Sequence, residues 1–241
     1  MAHAALADIS FILEWDWEAA ELSFKRAIQL DPGYLWARQA FALALVSQGR
    51  LDEAFAQLES VKQRDPLALG HTGLVDLGLL YLWQGDSEGA VRSWREALDL
   101  SPTHYSSLLN LGGYYCRSGE AEQGQALLER ARTLYPETPH VLSEQAACYA
   151  AAGRPIEARR LLEELEQWTL REYVDPMNLV VVHLALGQDD EVFAWLERAY
   201  EKRASLMPAI GSDPRFERLY GDARFRDLLE RVGLRERASR G

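Results

Sequence analysis

The stretch HTGLVDLGLLYLWQGDSEGAVRSWREALDLSPTH, residues 71–104, decides the architecture. Leu74, Leu77, Gly78 and Tyr81 recur at i, i+3, i+4 and i+7, the stripe of an amphipathic helix. Gln84-Gly85-Asp86 breaks that stripe, because Gly85 accepts the left-handed conformation that closes a helix and Asp86 or Ser87 caps the next one. Ala90, Val91, Trp94, Ala97 and Leu98 then share one face of a second helix, which Ser101-Pro102 ends, since proline cannot continue a preceding helix. The stretch reads as a helix-turn-helix of 34 residues.

The same unit recurs along the chain. Gly49, Gly85, Gly119, Gly153 and Gly187 are spaced by 36, 34, 34 and 34 residues, and Pro32, Pro66, Pro102 and Pro136 keep step with them. A fixed period of this size marks a repeat architecture. The expected fold is all-α, a right-handed superhelical solenoid of antiparallel helix pairs with C-terminal capping helices. Six units are expected, at 1–34, 35–70, 71–104, 105–138, 139–172 and 173–204, followed by a cap and frayed tail over 205–241. The first unit has Trp15 where the others carry the turn glycine, and the second helix of the fifth runs on through Leu165 and Trp168. His183 stands where the neighbouring units have Tyr81, Tyr115 and Tyr149. Ala20, Ala54, Ala90, Gly124 and Ala158 fall where helices must approach closely. Phe216, Leu219, Phe225, Leu228, Leu229 and Val232 suit a cap over the last repeat.

Leu-Gly-x-x-Tyr, a small residue, a large apolar residue four later and a closing proline together resemble the tetratricopeptide repeat, over roughly residues 1 to 204. The usual first-helix tryptophan is absent, with Leu74, Leu108 and Leu142 nearest its place. Segments such as Gln48-Gly49-Arg50-Leu51-Asp52-Glu53-Ala54 and the endings Asp213-Pro214-Arg215-Phe216 and Asp222-Ala223-Arg224-Phe225 are similar to the helical repeat regions of bacterial regulators. In those proteins such repeats follow winged-helix, serine/threonine-kinase or nucleotide-cyclase domains, for which this chain has no room. The resemblance implies a concave groove lined by first helices and used for peptides. Helical spacing then puts Trp36, Gln39, Leu43, Asp76, Leu79, Trp83, Asn110, Gly113, Arg117, Glu144 and Asn178 on the groove stripe. Asn110 and Arg117 around Gly113 suit a peptide amide and a carboxylate with space between them. The Lys and Asn clamp with which some such repeats grip chaperone tails has no counterpart, since the nearest places hold Ala5, Ile9, Gln39, Ala40 and Leu43.

Composition narrows the function further. Lys and Arg number 26 against 37 Asp and Glu, a net charge of −11 that opposes binding to nucleic acid. No apolar run approaches the length of a membrane span, so no membrane contact is expected, and two cysteines inside apolar helical patterns read as reduced core thiols in a cytoplasmic protein. The five histidines lack zinc-site spacing, and Leu111-Gly112-Gly113 lacks the strand and glycine pattern of a phosphate loop. No metal, no cofactor and no catalytic set is expected; the chain reads as a non-catalytic scaffold for a protein or peptide partner in bacterial signalling or transcription regulation. The alternative is a sensory or oligomerisation module that binds a small molecule or a second copy of itself.

Overall fold

The structure, a computed structural model, describes residues 2–64 and 69–234; Pro66 of the proline ladder and the expected frayed tail from Arg235 lie outside the described residues. Among the described residues every regular element is helical. The helices are α1 (Ala2–Asp8), α2 (Trp17–Leu30), α3 (Leu35–Ser47), α4 (Leu51–Arg64), α5 (Gly70–Gln84), α6 (Ser87–Leu100) and α7 (Tyr105–Arg117). They continue as α8 (Ala121–Leu134), α9 (Pro139–Ala151), α10 (Pro155–Thr169), α11 (Pro176–Leu186), α12 (Asp189–Glu201) and α13 (Ala223–Val232). Odd-numbered helices from α3 to α11 are first helices of a pair, and the helix after each is its second.

The period works through the turns. Gly85 ends α5 at φ 89°, and the Asp86 carboxylate accepts the Gly89 N–H at 2.9 Å to start α6. A side chain at such a φ costs roughly 1–2 kcal/mol, which is why glycine marks the corner. Trp15 holds the corresponding corner of the first unit at φ 58°, after a wide π-helical turn over Ile9–Glu14. Burial of its indole, 8% exposed, offsets that strain. The ladder also reaches one step beyond the five glycines read from the sequence: Gly221 lies 34 residues after Gly187 and has φ 89°.

The chain forms two compact units, one of residues 1–93 with 205–241 and one of residues 94–204. In the first, Phe24, Phe41, Leu45, Leu58, Leu77 and Trp83 share a buried core, with Phe24 and Phe41 stacked at 5.7 Å. Arg50, at the turn into α4, joins α2 to that turn: it donates to both carboxylate oxygens of Glu21 and to those of Glu53. Hydrogen bonds from Arg50 and Lys25 hold the Glu21 carboxyl down at about 2.

In the second unit, Leu108, Leu128, Ala131 and Val141 form one buried cluster, and Leu142, Leu162, Leu165, Leu179 and Val182 another. The closest helix approach is at Gly124, where an added Cβ would stand 2.6 Å from the Gly112 carbonyl oxygen. Cys116 of α7 and Cys148 of α9 are joined by a disulfide with Cα atoms 5.0 Å apart. That corrects the expectation of two reduced thiols. The two cysteines stand 32 residues apart, within two residues of one repeat, so stacking brings first-helix positions together. The period carried this signal, and the assumption of a reducing compartment hid it.

Two outcomes follow for stability. Closing a 32-residue loop restricts the unfolded chain. On chain-entropy grounds this is worth about 3–4 kcal/mol, so Cys148→Ser lowers the chemical-denaturation stability by that order, and reductant lowers wild type to the same level. Gly124→Val overpacks the α7–α8 crossing and costs roughly 1–3 kcal/mol, whereas the same change at exposed Ala121-adjacent Glu122 leaves the denaturation midpoint within a few tenths of wild type by the usual surface standard.

Candidate functional site

The stripe expected to line a groove is described here unit by unit. In the first unit, Trp36 is 40% exposed and its ring lies 5.9 Å from that of Tyr34. Leu43, two turns further along α3, is 38% exposed. Gln39 and Asp76 bridge α3 to α5, the amide of Gln39 donating to the Asp76 carboxylate at 2.7 Å. Leu79 is half-buried against the core, and Trp83 is a member of it. Burial pushes the Asp76 carboxyl up to about 6, against the lowering effect of the Gln39 hydrogen bond.

In the second unit the stripe is polar and connected. Asn110, Gly113 and Arg117 follow one face of α7, because spacings of three and four residues return to the same side of a helix. Arg117 pairs with Glu144 of α9 at 3.9 Å, and His140, one turn before Glu144, reaches the other carboxylate oxygen at 3.7 Å. Gly113 makes this possible: a Cβ there would stand 2.8 Å from Glu144 Oε2 and 3.0 Å from Arg117 Nη1. The ion pair lies across bare backbone. Next along the stripe, Ser143 Oγ donates to Asn178 Oδ1 at 3.3 Å and to the His140 carbonyl at 2.9 Å, linking α9 to α11. The structure thus joins Gly113, Arg117 and Glu144 in one cluster and ties Asn178 to the same helix through Ser143.

His140 and Ser143 were missed by the sequence reading. His140 sits i−4 from Glu144, a spacing that places two helical side chains together and was available as a signal. Ser143 offered none, since a serine in a helix interior has several local acceptors. His183 is buried, as expected of a packed histidine, and its Nδ1 lies 2.8 Å from Gln188 Oε1; its Nε2 has no hydrogen-bond partner among the described residues. Among the described residues, no group of three His, Cys, Asp or Glu is disposed to hold a metal ion, and no helix is long and apolar enough to cross a membrane.

Two arrangements therefore characterise the molecule: helix pairs of 34-residue period, and polar side chains paired between successive first helices. The fold is that of a helical-repeat protein. The repeats are tetratricopeptide repeats, whose family models match residues 12–73 and 75–122. Among curated relatives, photosystem I assembly protein Ycf3 of Prochlorococcus marinus is 27% identical over 126 residues, 52% of this chain and 71% of that protein. Cellulose synthase operon protein C of Pseudomonas fluorescens is 25% identical over 201 residues, 81% of this chain but 16% of that protein. The chain therefore spans about a sixth of the length of that relative. Among solved structures, the TPR protein TTC0263 of Thermus thermophilus superposes with a TM-score of 0.62 at 23% identity, over 74% of this chain and 95% of that one.

The Asp76 carboxyl sets a pH dependence whose sign is fixed. Its folded value lies near 6, above the ordinary 3.8, so the folded state favours the protonated form. Its stabilisation is complete below about pH 4 and is lost as pH rises through 6. Asp76→Asn keeps an acceptor for Gln39 and removes the titration. The variant is expected to melt higher than wild type at pH 7.5, equal to it near pH 4, and to show a flatter melting profile between them in a circular-dichroism series.

Proposed function

We propose that this chain is a non-catalytic scaffold that binds a protein segment along the first-helix face of its repeats. The observation that carries the reading is the line Asn110, Gly113, Arg117, Glu144, Ser143 and Asn178, in which donors and acceptors stand side by side over a glycine floor. An extended segment presents alternating N–H and C=O groups, which amides match, and carboxylates, which guanidinium matches. Gly113 leaves the depth that such a backbone needs. Tetratricopeptide repeats as protein-interaction modules support the same conclusion.

A setting in bacterial signalling or transcription regulation is part of this proposal and is supported by the likeness of the repeat and terminal segments to those of multidomain regulators. A cytoplasmic setting is the weaker part of it. The Cys116–Cys148 bond is chemistry characteristic of oxidising compartments.

The test is a pull-down from extracts of the source cell in the absence of reductant, with wild type and Asn110→Ala/Arg117→Ala compared at equal helicity. Losing two hydrogen-bonding groups at about 1.4 kcal/mol for each tenfold in affinity lowers partner recovery at least tenfold. Equal recovery of the same partners by both proteins overturns the assignment of this face.

A further inference from the structure

The C-terminal element is built unlike any helix pair. Asp213-Pro214-Arg215-Phe216 and Asp222-Ala223-Arg224-Phe225 repeat one pattern nine residues apart. Each aspartate accepts the backbone N–H of its arginine, at 2.9 Å and 2.8 Å, and each arginine side chain turns back to the same carboxylate. The two phenylalanine rings, both buried, stack at 5.9 Å with 10° between their planes, and Tyr220 stacks on Phe225. The Tyr220 hydroxyl donates to the Gly211 carbonyl at 2.9 Å, closing the turn. The element has a core of its own.

It also belongs to the compact unit of residues 1–93. Ser212 Oγ donates to the Val46 carbonyl at 2.7 Å, a bond between buried groups 166 residues apart. Val46 lies in the last turn of α3, where helix carbonyls lack their intrahelical donors, so Ser212 supplies one. The 3-10 turn Met207–Ala209 packs on α3, and Met207 and Ile210 are buried. At the other end, Gly233 meets the Trp17 indole so closely that a Cβ would stand 2.7 Å from its Nε1. Phe41, Ala42 and Leu45 turn toward the core of the unit, whereas Val46 is one further step round the helix, beside Leu43 and Ser47 of the expected binding stripe.

We propose that residues 205–234 are a resident ligand of the first unit, docked on the C-terminal half of α3, and that an external segment gains this face by displacing them. The segment that fits has the same chemistry: an Asp-x-Arg-Phe turn with a small hydroxyl side chain to cap α3. This proposal rests on the reading of the chain as a segment-binding scaffold and adds an occupant to it.

The experiment uses the full chain and a fluorescein-labelled synthetic peptide of residues 205–234. In Ile210→Asp/Ser212→Asp a buried apolar contact and the α3 cap are both lost, so the resident element is released and the face is open. Apparent affinity scales with the open fraction, so anisotropy titration is expected to show the peptide binding this variant at least thirtyfold more tightly than wild type, and the same peptide carrying Ser212→Asp binding neither. Equal peptide affinity for variant and wild type, or no binding to either, overturns the proposal. Native-state hydrogen exchange on wild type needs no variant to fold. Amides of α13 are expected to exchange at least tenfold faster than those of α4 through a local opening, and equal protection of the two overturns the proposal. Failure of the pull-down contrast at Asn110 and Arg117 leaves these readouts unmoved, because they report on α3 and not on α7.

Discussion

A helix pair with apolar side chains on one side has nowhere to hide them except against another pair. Everything else in this molecule follows from that need. Stacking demands that each unit return the chain to the same starting direction, which fixes the period and requires a left-handed corner between the helices of a pair. It also demands close approach, so small residues must recur at the contact. Ala20, Ala54, Ala90 and Ala158 are buried at 0–1% exposure, and Gly124 sits against the backbone of α7. The corner residue and the contact residue are the two positions at which a unit has almost no freedom.

Those positions are also why so much of the fold was legible in the sequence. Gly85 and its counterparts announce backbone conformations that other residues take only under strain, and a closing proline announces where a helix stops. Trp15 shows the limit of that signal. It adopts the corner conformation without being glycine, held by burial of its ring, and a reading based on residue type alone sees only a missing glycine. Gly221 shows the opposite limit, since it keeps step with the ladder while the helix expected before it is reduced to short 3-10 turns.

The binding stripe was less legible, because helical spacing places residues on a face without saying which of them touch. Gly113, Arg117 and Glu144 come together through the stacking distance between α7 and α9, and their contact depends on a side chain that is missing. Trp83 was read as a groove residue from its spacing and its size; in the first unit it is enclosed with Leu77 and Leu80, since an aromatic of that volume gains more from burial. The cysteine pair follows the same rule: proximity comes from the stack and is invisible to any argument confined to one helix.

That covalent link gives the second unit a mechanical character. A stack of helix pairs is a spring, whose neighbouring coils slide and tilt against one another because only side-chain packing joins them. Cys116 and Cys148 bolt one coil to the next through their first helices, at a point where the Arg117–Glu144 pair already bridges them. Extension or bending under load is therefore denied at the α7–α9 junction and must be taken up at junctions held by packing alone. The polar cluster over Gly113 rides on the stiffest part of the spring, and keeps its spacing while the coils around it flex.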